Sequence, residues 1–502
     1  MRRPARGAVL VLAAAAAATA PVRAGEGGTV PGRPPELREL VAVVHLHTAL
    51  VDGAASPEEL ARAARAAGVD ALILTDHLLE RVAWAPWPIG RVMGVAVSRP
   101  SVMRLGVRRY FEEVERAARA VPGVVLLPGV EVSPFARFRG SPLSGSLELR
   151  DWHRHALVVG LENPDHLAAL PITGNRRGGG WSAWSLAFLL PLAPLAWSVR
   201  RLARPLWREV HLGGYRLRRR RIPAGAAVLG ALSAAVLIAG FPFRVERFGA
   251  VGPDPGSDPY RTFAAEVARR GGIVSWAHPE AAAAAELHGV RADTRPYPEL
   301  VRETDAHAFG ALPEGTERLI PPGGLWDLAL RDHLEGRRPA PTFALAELDE
   351  HRAAGAIDFR LLQTVFLVRE KTGTGLLEAL RAGRFYARWT PAGSPPLRLG
   401  RFTVEAAEPG GAVALQGGSV RVAATARIRL AVLGGGPPVA VRLIRDGVVV
   451  WSDRRSPPFD HSIEERVERP TCYRLDVEGP YPSRLLANPI FVLPAGAPRG
   501  AA

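Results

Sequence analysis

The chain has a single cysteine, Cys472, and a single lysine, Lys371, among its 502 residues. One cysteine excludes an intramolecular disulfide and a cysteine-rich zinc site. Its place near the C-terminal end also excludes a lipid-modified N-terminal cysteine. With one lysine, nearly all positive charge is arginine, a composition bias that singles out no arginine as functional. Charged residues make up 23% of the chain and hydrophobic ones 47%, which excludes both a disordered chain and a polytopic transporter. The length exceeds one ordinary core, so two or three domains are expected.

The net charge of +15 is unevenly spread. Arg2, Arg3, Arg6 and Arg23 lie in the first 24 residues, and nine arginines with one acid, Glu209, lie between Arg200 and Arg221. The remainder is close to neutral, which argues against a phosphate-backbone binder; no nucleic-acid partner is expected. Both clusters instead flank apolar runs. Residues 1–24 read as a signal peptide, with an arginine-rich start, an apolar stretch from Ala8 to Ala20, and Val22 and Ala24 at the cleavage offsets. Trp181–Val199 and Ile222–Phe243 contain no charge, and each is long enough to cross about 30 Å of hydrocarbon. The short basic loop between them belongs in the cytoplasm, which puts both flanking parts outside. The expected location is a bacterial cell membrane, with the main domain facing the periplasm or exterior. A buried Ala-rich helical hairpin in a soluble protein is the alternative.

The segment VAVVHLHTALVD ends a buried strand in His45 and His47, two apart and hence on one face, with Asp52 just beyond. Ser56 is a good N-cap, Pro57–Ala67 a helix and Gly68 its stop. The next apolar run, VDALILTDH, ends in Asp76 and His77. Strand, helix, strand at this spacing is a βα repeat with parallel strands, whose sites gather at the C-terminal strand ends. The pattern continues through a helix Arg108–Ala120, a strand ending near Glu131, a strand entered at His155, a helix Tyr260–Arg270, and a strand ending in His278. Late in the chain, TFALAELDEH places Asp349 and His351 two apart, while TDAHAF offers Asp305 and His307 at the same offset. Glu131 follows the apolar VVLLPGV, so its carboxylate needs a buried partner, and a metal would supply one. His153 and His288 read as surface or supporting groups, and Asp76 as a cap.

HLHT…DG, LTDH, G-x-E-x-S, H-x-L-x-x-G, GG-x-x-x-x-x-HP and a late D-x-H, in this order, resemble the motifs of the PHP (polymerase and histidinol phosphatase) superfamily. TVFLV followed by GTGLLEALRAGRFYA resembles its carbaryl-hydrolase-like subgroup. The resemblance implies an α/β fold: a distorted (β/α)7 barrel, in two parts at 40–175 and 251–392, interrupted at 176–250 by a transmembrane helical hairpin with a basic loop. It also implies up to three divalent metal ions, for which zinc, manganese and iron all suit imidazole and carboxylate. His45, His47, Glu131 and Asp349 would hold one, Glu131, His155 and His278 a second, and Asp52, His77 and His351 a third. Glu131, His155 and Asp349 would be central to catalysis. The late motif departs from the family's usual G-S-D-x-H, leaving Asp305/His307 as the competing pair.

From about residue 396 to 497, alternating runs separated by Gly/Pro turns read as an antiparallel β-sandwich, with RDG as a hairpin turn. The expected activity is hydrolysis of a small-molecule or lipid-borne phosphoester by metal-activated water. The same centre could attack a carboxyl ester or carbamate. A catalytically silent envelope scaffold is the reading from another class.

Overall fold

The computed structural model describes residues 36–79, 81–84, 95–204, 206–241, 243–408 and 410–497. The export signal expected over residues 1–24 lies outside the described residues.

The chain opens with β1 (Arg38–Leu46), α1 (Pro57–Ala66) and β2 (Ala71–Leu74). The helix starts where the sequence requires: Ser56 and Glu59 form a reciprocal capping box and Pro57 occupies the first turn. Gly68 takes φ 77°, a left-handed stop that lets the chain turn into β2. Next come α2 (Val107–Ala120), β3 (Val125–Val132) and β4 (Ala156–Val159). After a long excursion follow α3 (Asp258–Arg269), β5 (Ile273–Trp276), β6 (Ala308–Leu312), α4 (Leu325–Leu334) and β7 (Phe343–Ala346). β1, β2 and β3 run parallel, as do β5, β6 and β7. β4 is reversed and pairs antiparallel with both β3 and β5. The parallel repeat therefore breaks at β4, because the chain after β3 makes short strands (Arg137–Arg139 and Glu148–Arg150) instead of a crossover helix. The reversal has a consequence for the site: β4 presents residues from its N-terminal end at the rim where its neighbours present their C-terminal ends.

The seven strands close into a ring. Leu348 N donates to Val44 O at 2.9 Å, His47 N to Glu350 O at 3.0 Å, and Glu350 N to His45 O at 3.3 Å, joining the end of β7 to β1. The strands are almost wholly buried and Val/Ile/Leu/Ala-rich, as expected for a sheet covered on both faces.

β8 (Leu362–Val368) pairs antiparallel with β1, β9 (Phe385–Trp389) pairs with β8, and strand Arg484–Pro494 pairs with β9. One sheet thus runs unbroken from the ring into the C-terminal module. There it faces a second sheet built on Arg398–Ala406, Thr425–Leu433 and Phe459–Arg466, with Phe402, Ile428, Leu443 and Leu475 in the shared core. The RDG turn forms as read, with Asp446 at φ 49° and Gly447 at φ 85°. A buried ion pair locks module to ring: Arg474 Nε meets Asp327 Oδ1 at 2.6 Å, and its guanidinium lies over the Trp326 ring of α4.

The excursion between β4 and α3 differs from the expected pair of spanning helices. The run Trp181–Val199 is divided: short helix Ala183–Ala187 is followed by a turn and then helix Leu192–Ala203. Pro191 and Pro194 explain the division, since neither offers an amide hydrogen and both fit the start of a helix better than its interior. Ile222–Phe243 yields a helix over Ala224–Gly240, 17 residues or roughly 25 Å, short of a hydrocarbon core of about 30 Å. Among the described residues, by length and composition only Ser185–Ala203, counted through its turn, meets the requirement for a crossing. A transmembrane hairpin is therefore not supported as a pair of full-length spans. The basic loop forms a β-hairpin, Leu206–Leu212 with Tyr215–Arg221. The buried-hairpin alternative also fails: only 6% of the Ser185–Ala203 window is buried, and Leu190, Trp197, Leu232 and Ile238 are exposed.

Candidate metal centre

At the ring's rim, five imidazoles converge on one carboxylate. Glu131 Oε1 lies 2.7 Å from His155 Nδ1, 3.2 Å from His278 Nε2 and 3.3 Å from His45 Nε2. Its Oε2 lies 3.1 Å from His77 Nδ1 and 3.2 Å from His47 Nε2. All six side chains are buried. β1 brings His45 and His47, the turn after β2 brings His77, β3 brings Glu131, the reversed β4 brings His155 from its entrance, and the end of β5 brings His278. Asp349 Oδ1 stands 3.5 Å from His45 Nε2 and 3.7 Å from His47 Nε2. Asp52 bridges His47 at 3.1 Å, His77 at 3.4 Å and His351 at 3.5 Å.

All nine residues expected as ligands thus share one site. The competing pair does not: His307 Nε2 contacts Leu380 O at 2.8 Å, on the far side of the β6 strand, and Asp305 has no place at the rim. The grouping differs in detail from the expected partition. Four sets have donor atoms within one ion's reach of each other: His45/His47/Asp349, His77/Glu131/His155, His153/His155/His278 and His47/Asp52/His77/His351. His153, read as a surface or supporting group, stacks on His278 at 4.3 Å between ring centres and meets His155 edge-on at 4.5 Å. The H-x-H of Trp152–His155 repeats the spacing of His45 and His47, and that was its signal. His288 sits exposed at a hairpin turn, as expected.

Supporting groups missed in the sequence fix the ring orientations. Glu347, two residues before Asp349, contacts His45 Nδ1 at 3.3 Å and accepts the His278 amide at 2.5 Å. Tyr297 lies 3.3 Å from His278 Nδ1, accepts the His155 amide at 3.0 Å and donates to Ala277 O at 2.5 Å. In both cases one ring nitrogen is held from behind and Nε2 faces the cluster, the arrangement that orients an imidazole for a metal. Asp76, read as a cap for the segment after it, instead accepts the Thr48 amide at 2.8 Å and its hydroxyl at 3.0 Å, which ties the turn after β1 to the end of β2.

Two observations test whether these residues fit a cation. His45 Nε2, His47 Nε2 and both ring nitrogens of His155 are buried yet make no hydrogen bond of acceptable geometry. Buried polar atoms in folded proteins are nearly always satisfied, so these lack a partner that a metal would supply. His45, His278 and Asp349 also take left-handed backbone conformations, with φ of 70°, 31° and 47°. Strain of this kind in non-glycine residues costs about 1–3 kcal/mol each and gathers at functional sites. Three such residues in one ligand set are a cost accepted for side-chain direction.

The electrostatics agree. Burial opposes ionisation of Glu131, but the surrounding imidazoles of His155, His45 and His77 hold its carboxyl well below the usual range. Partial withdrawal from water likewise opposes ionisation of Asp349, whose side chain is 38% exposed, yet His45 draws it down to about 2. Asp52 is lowered despite partial burial, through His351 and His47. Without a metal the cluster balances these charges with protons: despite burial, Glu131 and Asp349 raise His45, and Asp52 and Glu131 raise His47 to about 9. Burial drives His77 down to about 3 and His153 to about 2, so both are neutral donors at physiological pH.

No curated protein matches the chain. Among solved structures, a two-domain protein from Bacteroides vulgatus containing a predicted PHP-like metal-dependent phosphoesterase is 13% identical, over 88% of this chain and 91% of that one, with a TM-score of 0.35. A protein from Bifidobacterium adolescentis assigned as a metal-dependent phosphoesterase is 13% identical, over 68% of this chain and 95% of that one, with a TM-score of 0.28. An amidohydrolase from Chromobacterium violaceum, solved with sulfate and no metal, is 14% identical, over 63% and 89% of the two chains, with a TM-score of 0.26. These likenesses are too distant to carry an argument. The family described as PHP domain matches residues 44–169, a stretch similar to that family and holding six of the nine expected ligands, His45, His47, Asp52, His77, Glu131 and His155.

Proposed function

We propose that this protein is a metal-dependent phosphoesterase. The observation that carries the reading is the set of buried, unsatisfied imidazole nitrogens around Glu131. Glu131 would hold ions together with its neighbours: His45, His47 and Asp349 on one side, His155 and His278 on a second, and Asp52, His77 and His351 on a third. Bound divalent ions supply Lewis acidity and make water nucleophilic near neutral pH. The chain's own part is to fix the geometry. Glu347 and Tyr297 orient His45 and His278 from behind. Asp349 and His351, the most exposed members at 38% and 40%, line the side open to substrate. His153 stands at the edge of the cluster, where a leaving group would depart. Glu131, His155 and Asp349 are the residues on which turnover depends most.

Metal-activated water needs no nucleophilic side chain, and the same centre could serve a carboxyl ester or carbamate. We further infer that the chain is exported and tethered to a bacterial membrane through residues 181–199 and 222–243, facing the periplasm or exterior. The exposed apolar surface of the two helices supports the tether.

The test is metal content with turnover of aryl phosphomonoester, phosphodiester and aryl acetate, for the wild type and an Asp349→Ala/His351→Ala variant. Bound metal and phosphoester turnover lost in the variant is expected. Acetate turnover alone moves the assignment to carboxyl-ester hydrolysis. No metal and no turnover leaves a silent scaffold.

A further inference from the structure

A second polar cavity of about 440 Å³ lies outside the metal cluster. Its walls are the short strands around Arg137–Arg139 and Glu148–Arg150, the residues Gly256 and Ser257 that lead into α3, and the segment from Arg295 to Glu303. It is separated from the metal centre by the stretch Asp151–His155. His153 and His155 turn toward His278, while Asp151 and Arg154 line the cavity.

We propose that this cavity binds the phosphate group of a small phosphorylated compound, as a site distinct from the metal centre. Five arginines line it: Arg137, Arg139, Arg150, Arg154 and Arg295. Three are already matched by acids, Arg137 with Asp254, Arg150 with Asp293 and Arg154 with Asp151. Glu299 on the rim is matched by Arg318 at 2.7 Å. Arg139, which lies across its strand pair from Glu148 and helps to lower that carboxyl, and Arg295 make no ion pair among the described residues, and neither does the lining acid Glu303. Arg154 Nε is buried and makes no hydrogen bond, although its NH2 group meets Asp151 at 3.0 Å. α3, 12 residues long, opens into the cavity through Gly256 and Ser257, and Ser257 makes no side-chain cap to its first turn. An uncapped helix start beside guanidinium forks is a setting for a phosphate oxygen.

The cavity also touches the metal centre through one residue. Tyr297 lines it and carries its hydroxyl to the His155 amide and to His278 Nδ1. An occupant therefore sits one side chain from two expected metal ligands.

The experiment uses the full-length chain stripped of metal and titrated calorimetrically with inorganic phosphate and with glycerol phosphate. Three proteins are compared: wild type, Arg139→Ala/Arg295→Ala, and Asp349→Ala/His351→Ala. Saturable binding that weakens at least tenfold in the arginine variant and is unchanged in the Asp349/His351 variant supports the site. Both arginines are exposed, so circular dichroism matching wild type is expected for that variant. Binding lost with Asp349/His351 and kept without the arginines overturns the proposal and puts the anion in the metal cluster. No saturable binding to the wild type overturns it as well. Because no turnover is measured, these outcomes stand apart from those that test the phosphoesterase reading.

Discussion

Two regions of this molecule bury charge, and they do it in opposite ways. At the junction of ring and C-terminal module, Arg474 and Asp327 are 1% and 2% exposed and answer each other through two contacts of 2.6 Å, with Ile320 O accepting a further bond at 3.0 Å. Nearly every polar atom of that pair has a partner. At the rim, Glu131 sits among five imidazoles, the inward nitrogens of His45, His47 and His155 do not complete hydrogen bonds, and three of the residues there accept a strained backbone. A buried charge that serves the fold is satisfied by the fold. One left unsatisfied, on a backbone held in place at a cost, is shaped for something the chain does not contain.

The largest effect expected from that contrast is at the centre itself. Glu131→Gln removes the charge shared by both sides of the cluster, and phosphoester turnover should fall by more than about 100-fold, beyond what loss of an outer partner produces. Retained turnover and metal content in this variant would break the comparison. At the junction, Arg474→Ala should destabilise the protein by about 3–5 kcal/mol by stranding Asp327. Urea unfolding measures this, and metal content per folded chain should be unchanged. Glu347→Gln should weaken metal binding by about 10–100-fold while the fold persists, since it orients His45 without facing the cluster. Metal-buffered titration reads this value, and a change below threefold would mean that Glu347 is not an orienting group.

A smaller effect is expected with pH. His47 titrates at about 9 in the metal-free fold against an ordinary 6.5. A raised histidine contributes stability that is complete below 6.5 and disappears as pH rises through about 9. The metal-free protein should therefore lose thermal stability across that window. The metal-loaded protein should not, because the ion displaces the proton. Metal uptake at neutral pH should accordingly release protons, seen as a buffer-dependent heat. The smallest effect belongs to Asp305→Ala, which should leave metal content and turnover unchanged.

The legible parts of this site were the strand-end histidines. His45/His47, Asp76/His77, His278 and Asp349/His351 each follow a short buried apolar run, so local pattern alone placed them at strand ends. Glu347 and Tyr297 were not legible, because a carboxylate or a tyrosine gains its orienting role only from a partner far along the chain. His153 was legible only as a surface or supporting group for the same reason: its neighbours in space, His155 and His278, stand at the ends of β4 and β5. The helices of the excursion were visible as apolar runs, but their ends were not, because the prolines that cut them mean a kink in one context and a new helix start in another.

By itself the sequence determined the strands, the capped first helix, the residue types at the rim and the C-terminal β-structure, since each depends on periodicity, turn chemistry or composition over a few residues. Tertiary structure decided the reversal of β4, the closure of β7 onto β1, the choice of Asp349/His351 over Asp305/His307, and the satisfaction of one buried charge and not the other. Those outcomes depend on which distant segments meet, and a contact between segments hundreds of residues apart has no local signal from which to be read.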